Sequence, residues 1–355
     1  MRYRFCAAAA LLLVFTVFPT SVAHADLLVT NFFFGTVDRY DENTGALLQP
    51  GFMAPPIDDP LVPLGLADIV VNPANQQVFV SGRFSDRVYV FNGLTGEPIP
   101  GAQTPSGIDG VFLQLTSGQQ PAGLEVDSSG KLYVANNGGT TIDIFDAVSG
   151  ASMGTISDPS IALPSGLTFD AAGDLFITTL GGAGTLRWDG TDVTSFAAPT
   201  VVGPFAPNSV LVDAAGQVYV ADVFGDGIYK YMADGTEIPG ASGPFINIDP
   251  FMPDPSVTPS FDVNAPSGLL FDQDGNILVA VLGATNPGEG DLNGALLRFA
   301  PDGTFIEALG TKLPPLSSLV SAPVPEPSSV ALLMTGGAVG LFALLRKRRR
   351  KARSI

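Results

Sequence analysis

The sequence predicts an all-β fold: a six-bladed β-propeller with four-stranded blades, preceded by a signal peptide and followed by a C-terminal transmembrane helix. Three observations carry this. A unit recurs along the chain at a basic period of 43 residues. Each unit holds four short runs of apolar and β-branched residues with no helical periodicity. Glycine and proline, 41 and 30 of 355 residues, recur without the collagen period, so turns are dense.

The first element is an export signal over residues 1–25. Arg2 and Arg4 open it, Ala7 to Phe18 form a short apolar run, and Ala23-His24-Ala25 fits the small-x-small site read by signal peptidase, with cleavage before Asp26. The apolar run is short for a membrane span of about 20 residues. Cleavage there removes Cys6 and His24, the only cysteine and the only histidine. The mature chain then lacks the groups for cysteine nucleophiles, Ser-His-Asp triads and His- or Cys-ligated zinc. Eight basic residues remain between Arg39 and Lys312, against an acidic excess that gives the whole chain a net charge of −17. That balance offers no basic stripe for nucleic acid.

The propeller is placed at residues 26–320. Its clearest units are "QPAGLEVDSSGKLYVAN" from Gln120, "LPSGLTFDAAGDLFITT" from Leu163, "APNSVLVDAAGQVYVAD" from Ala206 and "APSGLLFDQDGNILVAV" from Ala265. A weaker copy, from Pro63, aligns Gly65 with Gly123, Gly166, Ser209 and Gly268. In the unit from Leu163 the strands are Leu167–Phe169, Leu175–Thr179, Thr185–Trp188 and Val193–Phe196. Asp127, Asp170, Asp213 and Asp272 each stand three residues before a glycine, the pattern of a turn former. The segment from Asp26 supplies strands two to four of a blade and lacks the first; "PLSSLV" from Pro315 is the candidate to supply it, through Ser317–Val320. Closing the ring this way avoids an unpaired edge. Two insertions, about Gly101–Gly118 and Gly240–Asn264, are too short for extra blades and read as loops.

Few residues suggest a site. In "EGDLNG", Glu289, Asp291 and Asn293 alternate ahead of Gly294 like the opening of a calcium loop, but position twelve is Ala300 and the closing acid is missing. The run reads as a solvated loop, and calcium is the one cofactor it suggests. Phe32, Phe33 and Phe34 read as part of a strand with core-facing members, and Phe224 and Trp188 as blade packing. No two carboxylates are singled out as an acid–base pair.

The pattern P-x-G-L-x-x-D-x-x-G-x-L-Y-V-A resembles the NHL-repeat and SMP-30/gluconolactonase-like six-bladed propellers. The lactonase branch of that group implies a divalent metal held in the channel by Glu, Asn and Asp, one of them in the second place of P-x-G. That place holds Leu64, Ala122, Ser165, Asn208 and Ser267 here, so Asn208 is the one channel candidate.

The last element, residues 321–355, has three parts: Val324-Pro325-Glu326-Pro327, an uncharged apolar run at 329–345, and a basic tail at 346–353 that opens Arg346-Lys347-Arg348-Arg349-Arg350. The order resembles the PEP-CTERM sorting signal of Gram-negative bacteria. That resemblance implies an exosortase-type processing enzyme, export across the inner membrane, and a destination at the cell surface or in an extracellular matrix containing exopolysaccharide. The basic cluster then acts as a stop-transfer signal, with the body outside. The combined reading is an exported binding or structural module that contacts extracellular polysaccharide or a surface protein. The alternative is a metal- or carboxylate-dependent, lactonase-like hydrolase working in the channel.

Overall fold

The computed structural model describes residues 26–56, 64–182, 184–197, 206–225, 227–240, 243–248, 265–283 and 294–323. The signal segment, the motif at Val324–Pro327, the tail behind it and the Glu289/Asp291/Asn293 loop lie outside the described residues.

Six antiparallel sheets form the blades. The first contains β1 (Asp26–Asn31), β2 (Thr36–Asp41) and β3 (Leu47–Met53); the second β4 (Leu66–Val71), β5 (Gln77–Gly82), β6 (Arg87–Asn92) and β7 (Val111–Gln114). The third contains β8 (Pro121–Val126), β9 (Lys131–Asn136), β10 (Thr141–Asp146) and β11 (Ser152–Ser157); the fourth β12 (Pro164–Phe169), β13 (Leu175–Thr179), β14 (Gly184–Trp188) and β15 (Val193–Ala197). In the fifth, β16 (Pro207–Val212), β17 (Val218–Asp222) and β18 (Gly227–Tyr231) are followed by two short outer pieces, β19 (Glu237–Ile238) and β20 (Ile246–Asn247), both paired with β18. The sixth contains β21 (Pro266–Phe271), β22 (Ile277–Val281), β23 (Gly294–Phe299) and β24 (Phe305–Leu313).

The last strand, β25 (Leu316–Ser321), does not start a seventh blade. It pairs antiparallel with β1, giving the first sheet the order β25-β1-β2-β3. The ring is therefore closed by the C-terminal strand that the sequence nominated. Thr30 Oγ1 lies 2.8 Å from Ser317 Oγ, and the Ser318 N–H donates to Thr30 Oγ1 at 2.8 Å. Beyond the strand, the Ala322 N–H donates to the Asp26 carbonyl at 2.6 Å.

Alternation of side chains along each strand sends one apolar set to each neighbouring blade. The result is six separate apolar cores, one per junction. Leu28 and Met53 meet Val80 and Phe91 between blades one and two, and Leu27 and Val29 meet Leu296 and Leu316 at the closing junction. Trp188 packs at the third junction, where its ring lies 6.4 Å from that of Tyr133, in keeping with its reading as blade packing.

The repeated aspartates are turn residues, as their position implied. Asp170 Oδ1 accepts the N–H groups of Ala172 and Asp174 at 2.8 and 2.9 Å, and Gly173 takes a φ of +92° that favours glycine. Asp127, Asp213 and Asp272 repeat the arrangement. Because strands alternate in direction, these turns share one end of the ring with those between third and fourth strands. There Asp41, Asp146, Asp189, Asp234 and Asp302 cap turns in the same way. This end also carries Asp26 and Ser321.

The reading of the insertions as plain loops is corrected. Val111–Gln114, inside the first, is the outer strand of blade two: Arg87 pairs with Gln114 and Val88 with Leu113. Ile246–Asn247, inside the second, pairs with β18. An outer strand needs only one partner, so the chain can wander before returning to the edge.

Candidate binding channel

The six innermost strands β25, β4, β8, β12, β16 and β21 touch in cyclic order around a central cavity of about 830 Å³. Pairing with the second strands sets their equivalence. Leu66, Pro121, Pro164, Pro207, Pro266 and Leu316 stand opposite Gly82, Asn136, Thr179, Asp222, Val281 and Asn31. The next residue of each is Ala67, Ala122, Ser165, Asn208, Ser267 and Ser317.

Polar side chains at this level tie blade to blade. Ser317 Oγ donates to the Leu66 carbonyl at 2.6 Å, and Ser267 Oγ to the Leu316 carbonyl at 2.7 Å. Asn208 Nδ2 donates to the Ser267 carbonyl at 2.9 Å, while Asn208 Oδ1 accepts from Ser165 Oγ at 2.7 Å. Asn208 lines the channel, with both amide atoms engaged in this belt.

One position further along, three blades carry glycine because the next inner strand comes too close for a side chain. A Cβ on Gly123 would lie 1.9 Å from the Ser165 carbonyl oxygen. The equivalent residue of blade two is Asp68, and of blade one Ser318. The sequence alignment had put Gly65 in this register, so the structure corrects it. The turn after β4 has one more residue than its counterparts, and Pro63-Leu64-Gly65 mimics the P-x-G signature just upstream. Asp68 Oδ2 accepts the Leu124 N–H at 2.8 Å, and Oδ1 accepts the Ile69 N–H at 2.9 Å and Ser318 Oγ at 2.6 Å. Burial pushes the Asp68 carboxyl up from its ordinary range, and these three donors pull against that shift.

Two residues beyond Gly123 stands Glu125, whose counterparts are Val70, Thr168, Leu211, Leu270 and Val320. Burial in this mostly apolar collar strips hydration from the carboxyl, and its pKa is pushed up to about 8. The charges of Asp68 and Asp127 add to the shift, while the Val126 N–H, donating to Oε1 at 3.1 Å, opposes it. Asp68 and Glu125 therefore share the channel, a pairing the sequence did not single out. The misplaced Gly65 register hid Asp68, and Glu125 has no repeat partner to mark it.

The mouth is formed at the other end from the aspartate turns, by the loops between second and third strands. Phe32, Arg83, Leu180, Phe224 and Leu282 line the cavity there. The reading of Phe32–Phe34 as strand is corrected: they occupy the turn between β1 and β2, and Phe34 is 61% exposed. Phe84 and Phe224 are 45% and 51% exposed, so Phe224 serves the rim rather than blade packing. The rings of Phe32 and Phe84 meet edge-to-face at 5.6 Å. Arg83 Nη2 donates to Asn137 Oδ1, and Asn137 is itself fixed by donating Nδ2 to the carbonyls of Leu163 and Pro164 at 3.1 and 3.0 Å.

With this geometry in place, comparison with known proteins adds two findings. Residues 323–350 match the PEP-CTERM protein-sorting motif. The chain carries that motif at its C-terminus, which implies export, membrane-anchored sorting and processing by an exosortase-type enzyme. Among solved structures, the chain is similar to a protein of unknown function from Bacteroides caccae, with 11% identity, 85% of this chain and 100% of that chain covered, and a TM-score of 0.58. It is also similar to a chain of a nidogen/laminin complex, with 13% identity, coverage of 84% and 98%, and a TM-score of 0.58. A virginiamycin B lyase from Staphylococcus aureus matches at 15% identity, with 73% and 71% covered and a TM-score of 0.47. Likeness at these identities is likeness of fold. No curated protein matches the sequence.

Proposed function

We propose that this exported propeller is a binding module of the cell surface or extracellular matrix, and that extracellular polysaccharide docks over the channel mouth. The observation behind this reading is the aromatic rim: Phe32 and half-exposed Phe224 line a cavity about 830 Å³ in volume, and half-exposed Phe84 packs edge-to-face on Phe32. Solvent-exposed rings at a concave opening cost apolar hydration in the free protein and return it when a flat, partly apolar ligand covers them.

Removing one such ring, Phe84→Ala or Phe224→Ala, is expected to weaken binding by about 1–2 kcal/mol, roughly five- to thirtyfold in Kd, with little change in melting temperature. Co-sedimentation of the purified protein with polysaccharide from its own host measures this. Undiminished binding by the double variant would refute the rim as the docking surface, and retention of a surface protein in place of polysaccharide would redirect the reading.

A second reading, carboxylate-dependent hydrolysis inside the channel, is favoured by one observation, the raised pKa of Glu125 beside Asp68. A screen of lactones and glycosides with Glu125→Gln as the control separates it from binding alone.

A further inference from the structure

Arg83 stands out among the residues that line the cavity. It is the one cation there among the described residues, and none of the described ion pairs includes it. Its Nε–H is buried without an acceptor, and desolvation lowers the pKa of the guanidinium. An unpaired guanidinium in a partly desolvated place is costly to keep, because neither water nor a carboxylate fully compensates it. The cost is held in a defined geometry. Asn137 is 2% exposed, and its own amide is committed to two backbone carbonyls, so its Oδ1 is fixed where Nη2 meets it. Such an arrangement leaves the rest of the planar fork oriented for a partner.

We infer that Arg83 is an anion-recognition residue and that the mouth takes a saccharide bearing a carboxylate, as in a uronic-acid polymer. This rests on the proposed binding role of the aromatic rim. A single guanidinium matches a single negative charge. The chain's net charge of −17 disfavours a dianion such as a phosphate monoester, and the carboxyls of Asp68 and Glu125 line the same cavity. The same carboxyls suit the hydroxyl groups of a sugar: Glu125 Oε1 is engaged by the Val126 N–H, and no other hydrogen bond to its carboxyl is formed within the described structure. The Phe32 ring covers the sugar face while the fork of Arg83 takes its carboxylate.

The test is titration calorimetry of the full-length protein, in detergent, with three probes: an oligoglucuronate, the same oligosaccharide with its carboxyls reduced to alcohols, and inorganic phosphate. The oligoglucuronate is expected to bind at least tenfold more tightly than its neutral counterpart. Arg83→Gln is expected to abolish that preference, while Arg83→Lys, which keeps the charge and loses the fork, retains only part of it. Thermal melts of both variants show whether the fold survives. If Arg83→Gln unfolds, the preference of the native protein and its reduction in Arg83→Lys still decide the matter. Equal binding of charged and neutral oligosaccharides overturns the inference and leaves the binding-module reading standing. Phosphate binding that competes with oligoglucuronate on equal terms overturns the choice of a carboxylate. Binding of none of the three overturns the inference together with the rim as a saccharide site.

Discussion

Replacing Leu316 and Leu319 by alanine tests whether the ring is a single cooperative unit locked by β25. Leu316 is 0% and Leu319 4% exposed, and both belong to the apolar core between blades one and six. Each truncation is expected to cost about 3 kcal/mol, the middle of the range for buried leucines. The two share one core, so about 5–6 kcal/mol is the ceiling for the pair. That is a large share of a typical domain's total stability of about 5–15 kcal/mol. With a urea m-value of about 3 kcal/mol/M, the midpoint should fall by roughly 2 M. The readout is built in: Trp188 is the only tryptophan, and it lies in blade four, across the ring from the closing strand. Its fluorescence should therefore report the loss although no mutated atom is near it. The reasoning fails if the Trp188 transition keeps its native midpoint. It also fails if a chain ending at Lys312, lacking β25 altogether, unfolds at the same urea concentration as one ending at Pro323.

Two further outcomes follow from the channel. Gly123→Ala places a methyl group 1.9 Å from the Ser165 carbonyl oxygen, so it should destabilise by at least about 2–3 kcal/mol in thermal or urea unfolding despite being the smallest possible change. Glu125 holds its proton in the fold up to about pH 8 and loses it near its ordinary value of 4.5 when unfolded. The folded state thus binds more protons between these values, and stability should fall as pH rises through that window, then level off above pH 8. Allowing for water in the channel, the loss is on the order of 2 kcal/mol. Glu125→Gln should remove this slope in urea midpoints measured at pH 5, 7 and 9.

Strands and ring closure were legible in the sequence because turn chemistry repeats. The Asp-x-x-Gly turns mark each first-to-second strand connection in blades three to six, and the missing first strand of blade one had a counterpart in Pro315–Val320. What misled was local. Leu64-Gly65-Leu66 carries the signature of an inner strand, yet the register belongs to Asp68, set by pairing of Ile69 with Val80. Phe32–Phe34 continue an apolar run in sequence, but the chain turns there, because the Gly35 N–H bonds back to the Asn31 carbonyl at 3.1 Å. The outer strand Val111–Gln114 was hidden because an edge strand needs a single pairing partner and tolerates a long detour before it. Arg83 and Asn137 are far apart in the chain and meet only when blades two and three are set side by side.

The two ends of the described chain leave the ring at the aspartate-turn end, where Ala322 is bonded to Asp26, and the aromatic mouth lies at the opposite end. An inner strand of six residues spans about 20 Å, which separates these two poles. A tether through the C-terminus therefore attaches at the base, the end of the ring opposite the opening. The base is also where the turn-capping carboxylates gather, so it is repelled by anionic headgroups rather than drawn flat against them. Asp146, for one, is held below the ordinary carboxylate range by the Ser149 backbone N–H and hydroxyl and the Val148 N–H, so it keeps its charge under mildly acidic conditions. The residues that make the turns thus also charge the end of the ring from which the C-terminus leaves.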